Sequence, residues 1–275
     1  MKKDIRAVFV DMDGTLLYVK LTVSETVQNA FHSLKEKGIL PIIATGRPLC
    51  ETEFATELIG AEQYCIVMNG LEIYKDVKKR ELLFETFIPE DVSKALVDWA
   101  IGTGEFFEVY VGPDSFGLKT HKPILKECSQ DEEERIFFET AVTYVDDIYE
   151  TIRKSDKHVN KVLLFIRNTE QMDEYRKQLE AFPGIVTLAS GPQYIEIIPE
   201  GVDKALAVKL VREDLGLSSD QIMAIGDSEN DMGMFVEAGT CVAMGNAFEM
   251  VKEKADIIAP TNKEHGVAWA LENLI

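Results

Sequence analysis

Three short runs near the start of the chain are apolar throughout: AVFV at 7–10, ILPIIA at 39–44 and YCIVM at 64–68. A strand with one wet face alternates apolar and polar residues, whereas a strand covered on both faces does not. Helical spacing fills the gaps between these runs. Val27, Ala30, Phe31 and Leu34 mark a helix over 24–37, with Thr22 and Glu25 as a capping box and Gly38 at its end. A second helix over 49–59 stops at Gly60. Strand and helix in this alternation predict an α/β fold, a Rossmann-like parallel sheet core with helices on both faces.

The rhythm changes from residue 71. LEIYKDVKKRELLFETFIP reads as two strands joined by a charged turn at Asp76 to Lys79, and Pro89 then opens a helix carrying Val92, Leu96 and Trp99. Strand-like runs follow at 106–111, 161–166 and 185–190, with helical patterns at 145–153 and 170–181 and a long Gly-, Pro- and Lys-rich loop at 112–130. The first rhythm resumes with YIEII at 194–198, a helix at 204–215 and apolar runs at 222–225, 241–244 and 256–259. The expected organisation is a core from 1–84 and 189–275, with 85–188 as an inserted α/β cap domain; a chain of 275 residues suits two domains.

The formal charge is −19, which argues against nucleic acid or an anionic membrane as partner. No apolar stretch reaches the roughly 18 residues a membrane-spanning helix needs. The apolar run near the N-terminus breaks at Asp11, too early for a signal peptide, so a cytoplasmic protein is expected, as a monomer or small homo-oligomer. The four cysteines are scattered and the four histidines form no zinc-binding pattern, which disfavours disulfides and zinc hydrolysis.

The same charge poses a question at Asp11 and Asp13, two acids one residue apart at the end of a buried run. At ~4 Å and an effective dielectric near 20 such a pair repels by about 4 kcal/mol. Ligands of open α/β sheets bind beyond the carboxyl ends of the strands. Those ends carry Asp11, Asp13, Gly14 and Thr15, then Thr45, Gly46 and Arg47, then Asn69 and Gly70, then Asp227 to Asp231. Asp11, Asp227 and one backbone carbonyl are hard oxygen donors, few in number, which suits Mg²⁺ better than Ca²⁺ or Zn²⁺. Lys204 opens a helix, where a cation opposes the dipole unless an anion lies close by. Thr45 and the N–H groups after it are suited to donate to that anion.

DMDGT at 11–15, TGR at 45–47, Lys204 and GDSENDMGM at 226–234 resemble, in this order, the four motifs of the haloacid dehalogenase superfamily. The cap placement resembles its Cof-type branch, mostly Mg²⁺-dependent phosphatases of small phosphorylated metabolites such as sugar phosphates or phosphorylated cofactor precursors. The resemblance implies that Asp11 attacks phosphorus and forms an aspartyl-phosphate, and that Asp13 protonates the leaving oxygen and then activates water. It implies that Thr45, Gly46, Lys204 and Asn230 hold the phosphoryl oxygens, and that Asp11, the Asp13 carbonyl and Asp227 bind Mg²⁺. Asp231 would support Lys204 or the metal shell; Arg47 and Asn69 would stand beside the site, Arg47 touching either a carboxylate or the substrate. The cap is expected to close over the site and choose the leaving group. The lysine motif departs from the family's usual Gly-Val-Ser/Asn-Lys-Gly: here it is GVDKA, with Asp203 and Ala205. Two rivals remain: a phosphosugar mutase using the same aspartyl-phosphate, and a non-catalytic phospho-switch or metabolite-binding regulator. Lys161, at the head of a cap strand, reads as a structural lysine before a substrate-binding one.

Overall fold

A computed structural model describes residues 4–18, 21–128, 132–155, 157–188 and 193–275. The chain divides into two compact units, one from 1–85 with 202–275 and one from 86–201.

The first unit is built on strands β1 (Ala7–Val10), β2 (Leu40–Ala44), β3 (Gln63–Val67), β4 (Glu72–Asp76) and β5 (Glu81–Glu85). In the second unit lie β6 (Phe106–Val111), β7 (Asp114–Leu118), β8 (Thr143–Val145), β9 (Val159–Phe165), β10 (Ile185–Leu188) and β11 (Tyr194–Pro199). The chain then returns to the first unit with β12 (Ile222–Gly226), β13 (Thr240–Ala243) and β14 (Ile257–Ile258). The first sheet has the order β14-β13-β12-β1-β2-β3-β4-β5. It is parallel from β14 to β3, with Ala7 facing Ile222 on one side and Leu40 on the other. The charged hairpin β4–β5 adds an antiparallel edge.

The apolar runs form the centre of this sheet because both its faces are covered. The helix at 25–36 packs with those at 53–59 and 266–274, and the helix at 204–214 packs with that at 232–237. Every residue of β1 is fully buried, and burying a side chain such as Phe9 is worth roughly 2–3 kcal/mol. Strand order reverses at β1: β2 and β3 extend the sheet one way, β12 to β14 the other. That reversal opens the crevice where ligands of such sheets bind. The first helix is capped by Ser24, whose Oγ accepts from Val27 N at 3.4 Å, rather than by the Thr22–Glu25 box.

The second unit is a sheet of order β10-β11-β9-β6-β7-β8, antiparallel except for the β7–β8 pair. Helices at 90–103, 148–155 and 172–179 contribute to its core with Leu96, Val97, Ile148 and Leu179, around Phe107, Val109, Val162, Leu164, Ile195 and Ile197 from the strands. Two expectations are corrected here. Tyr194–Ile198, assigned by rhythm to the first sheet, pairs with β9 and β10 in the second. Residues 114–118, read as part of a loop, form β7, a hairpin with β6 that turns through Gly112 and Pro113. Residues 129–130, 189 and 190 of the expected loop and strand lie outside the described residues. Lys161 is buried, 3.4 Å from Glu196 and 4.6 Å from the centre of the Tyr110 ring, which is a structural setting. Among the described residues, no helix is long and apolar enough to cross a membrane.

Candidate active site

The carboxyl ends of β1 and β12 bring three acids together. Carboxylate oxygens of Asp11, Asp227 and Asp231 lie within 4.8 Å of one another. Lys204 lies among them at the start of its helix, its side chain fully buried, donating to Asp11 Oδ1 at 2.6 Å and to Asp231 Oδ1 at 2.7 Å. The other oxygen of Asp231 accepts from the N–H groups of Asp227 and Ser228 at 2.9 and 3.0 Å. Asp231 is thus a fixed brace: it fastens the turn after β12 and aims Lys204 at Asp11.

Three carboxylates and one ammonium leave an excess of negative charge in a dry place. Burial, then the Asp231 charge, pushes the Asp11 pKa well above its ordinary value, and Lys204 pulls it only part of the way back. Asp227 is pushed up to about 6, first by burial and then by Asp231, with the Thr15 hydroxyl opposing at 3.0 Å. Burial works against the Lys204 ammonium, but its two carboxylates outweigh it and hold its pKa above that of an ordinary lysine. A hard divalent cation fits this donor set, because it would supply the charge that these carboxylates lack.

Gly14 is required by two features at once. Its φ is +77°, and a Cβ there would sit 2.2 Å from Asp227 Oδ2. The backbone can therefore turn directly over the acid cluster. The Asp13 carboxylate is more than half exposed and is gripped by Arg47 through Nε and Nη2, both at 2.7 Å. Arg47 thus pairs with a carboxylate, one of the two settings expected for it.

A second group gathers beside these residues. Thr45 is buried, and its Oγ1 accepts from Arg47 N at 3.1 Å. A Cβ on Gly46 would lie 3.2 Å from the Asn69 amide. Asn230 donates its amide to Asn69 Oδ1 at 3.0 Å. Asn69 holds a left-handed backbone with φ of 57°, which short polar residues tolerate better than most. The expected set Asp11, Asp13, Thr45, Gly46, Arg47, Asn69, Lys204, Asn230, Asp227 and Asp231 therefore converges on one end of the first sheet.

The sequence reading gave Asn246 no role and Thr15 no specific one. Asn246 follows β13, donates to Gly14 O at 2.8 Å and accepts from Asn262 N at 2.9 Å, holding the glycine turn in place. The rule that pointed to the other strand ends applies equally to the Gly245-Asn246 pair.

A family model described as haloacid dehalogenase-like hydrolase matches residues 8–271. The chain belongs to this family. Among its relatives, two Bacillus subtilis proteins named 5-amino-6-(5-phospho-D-ribitylamino)uracil phosphatase are similar over nearly their whole lengths. YwtE is 27% identical, covering 98% of both chains, and YcsE is 30% identical, covering 99% of this chain and 96% of its own. Among solved structures, a haloacid dehalogenase-like hydrolase from Bacteroides thetaiotaomicron superposes with a TM-score of 0.85 at 28% identity, over 98% of this chain and 100% of its own. A Thermotoga maritima protein follows with 0.81 at 28%, over 98% of each. The protein is thus an enzyme, a phosphoric monoester hydrolase of the haloacid dehalogenase type.

Proposed function

We propose that this haloacid dehalogenase-type enzyme is a Mg²⁺-dependent phosphatase of small phosphate monoesters, and that it works through an aspartyl-phosphate on Asp11. The carrying observation is the buried Asp11–Lys204–Asp231 cluster beside Asp227. The names of the relatives favour a phosphorylated cofactor precursor, with 5-amino-6-(5-phospho-D-ribitylamino)uracil as the first compound to assay.

In this reading Asp11 attacks phosphorus, the P–O bond to the leaving group breaks, and Asp13 protonates the departing oxygen. Asp13 then takes a proton from water, the resulting hydroxide attacks the phosphoryl group, and inorganic phosphate leaves with the Asp11 carboxylate restored. Lys204, Thr45, the Gly46 N–H and the Asn230 amide would stabilise the phosphoryl oxygens, where the charge of a loose transition state accumulates. Arg47 keeps Asp13 in position with one N–H on each oxygen, which leaves each oxygen a second lone pair for a proton. Mg²⁺, held by Asp11, the Asp13 carbonyl and Asp227, would neutralise phosphoryl charge that a protein of −19 otherwise repels.

Replacing Asp11 by Asn should reduce turnover by about a thousandfold or more while the fold survives. Phosphate release is measured on a panel of phosphorylated metabolites, with EDTA as control and circular dichroism reporting the fold. An active Asp11→Asn enzyme would remove the assigned nucleophile. Transfer of phosphate to another position of the substrate, without free phosphate, would make the enzyme a mutase.

A further inference from the structure

The second unit has a cleft of about 480 Å³ of its own, on the side of its helices at 90–103 and 148–155. Ile88, Ile152 and Val159 form an apolar floor. The polar lining is mostly cationic: Lys94 from one helix, Arg153 from the other, and Lys157 with His158 from the segment entering β9. Glu90 is the acid among the lining residues, and Tyr149 donates its hydroxyl to Asp98. Lys154, next to Arg153, is tied to Glu150 at 2.7 Å. Lys94, Arg153 and Lys157 form no ion pair among the described residues. The His158 ring stacks on Phe87 at 4.1 Å, which fixes a planar surface at the edge of the cleft.

Three cations lining one cleft with an apolar floor and a fixed aromatic edge match an anion that carries an organic body. The volume lies within the range of small-molecule sites and exceeds what a bare phosphate needs. We propose that this cleft binds a small organic phosphate with a planar ring, its phosphate held by Lys94, Arg153 and Lys157 and its ring lying along the apolar floor and His158. The site shares no residue with the Asp11 cluster. No residue of it is assigned a step of the proposed hydrolysis, and the proposal takes its occupant as an effector.

The test uses the full-length Asp11→Asn chain, so that the probe is not consumed, and titrates it with adenosine 5′-monophosphate by calorimetry. A binding event is expected that persists in EDTA, weakens as salt is raised, and falls about tenfold or more in affinity on combined substitution K94Q/R153Q/K157Q. Adenosine without phosphate should not compete, and His158→Ala should weaken adenosine monophosphate more than inorganic phosphate. Arg153→Lys in the same Asp11→Asn chain should keep most of the affinity, which separates charge from damage to the fold. In the Asp11-intact chain the triple substitution should leave p-nitrophenyl phosphate turnover unchanged. The proposal is overturned if no EDTA-resistant binding occurs, or if the triple substitution leaves that binding unaltered.

Discussion

Without a cation, Asp227 shares its surroundings with Asp231, and burial and that neighbour's charge lift its pKa to about 6. An unfolded aspartate titrates near 3.9, so the folded protein binds the extra proton across the interval between the two values. The sign is the reverse of a salt-bridged carboxylate: the metal-free protein should become more stable as pH falls from about 7 to about 5. Asp11, also raised, acts in the same direction. Melting temperatures in EDTA should therefore climb over that range, and less so in Asp227→Asn. Protons and Mg²⁺ compete for these oxygens, so the increase in melting temperature on adding Mg²⁺ should be larger at pH 7.5 than at pH 5.5, as ~1 proton is displaced per ligand freed. A pH-independent gain would place the ion elsewhere. Asp11, Asp13, Lys204 and Asp227 were legible as candidates because their residue types make poor sense at buried strand and helix ends. The grip of Arg47 on Asp13 was not, since a bidentate pair depends on side-chain directions that spacing does not encode.

At the scale of elements, the helix that presents Lys204 accounts for both departures in the lysine motif. Asp203 is its N-cap: Oδ1 accepts from Leu206 N at 2.9 Å, the task a Ser or Asn would perform at this position. Replacing Asp203 by Ala should cost about 1 kcal/mol in urea unfolding, and replacing it by Ser or Asn only a few tenths. Equal losses in all three variants would mean that the cap is not what Asp203 supplies. Ala205 has room because its neighbour is Gly233, where a Cβ would lie 2.9 Å from Ala205 N. The elements missed in the sequence share one cause. The strand DSFGL was hidden by Gly, Pro and Asp around it, although Gly-Pro between Val111 and Asp114 is turn chemistry that can close a hairpin. The displaced cap at Ser24 reflects two hydroxyl residues within reach of one helix start, between which local pattern does not choose.

At the scale of the whole molecule, a charge of −19 must be overcome by every phosphorylated substrate. The kcat/KM for a dianionic monoester should rise as ionic strength increases from ~0.01 to ~0.15 M at saturating Mg²⁺, because the screening length shortens from roughly 30 to 8 Å. A fall would mean that local attraction at the site outweighs the global field. The sequence by itself determined the parallel sheet of the first unit, the acids and lysine at its strand and helix ends, and the need for a counter-charge. Those rest on burial and on period, which are properties of neighbouring residues along the chain. Only the tertiary structure decided that Tyr194–Ile198 belongs to the second sheet, that Asn246 steadies the Gly14 turn, and that cations from three separate segments line one cleft. Each of these joins residues far apart in the chain, and an apolar run or an isolated side chain carries no signal of which distant partner it will meet.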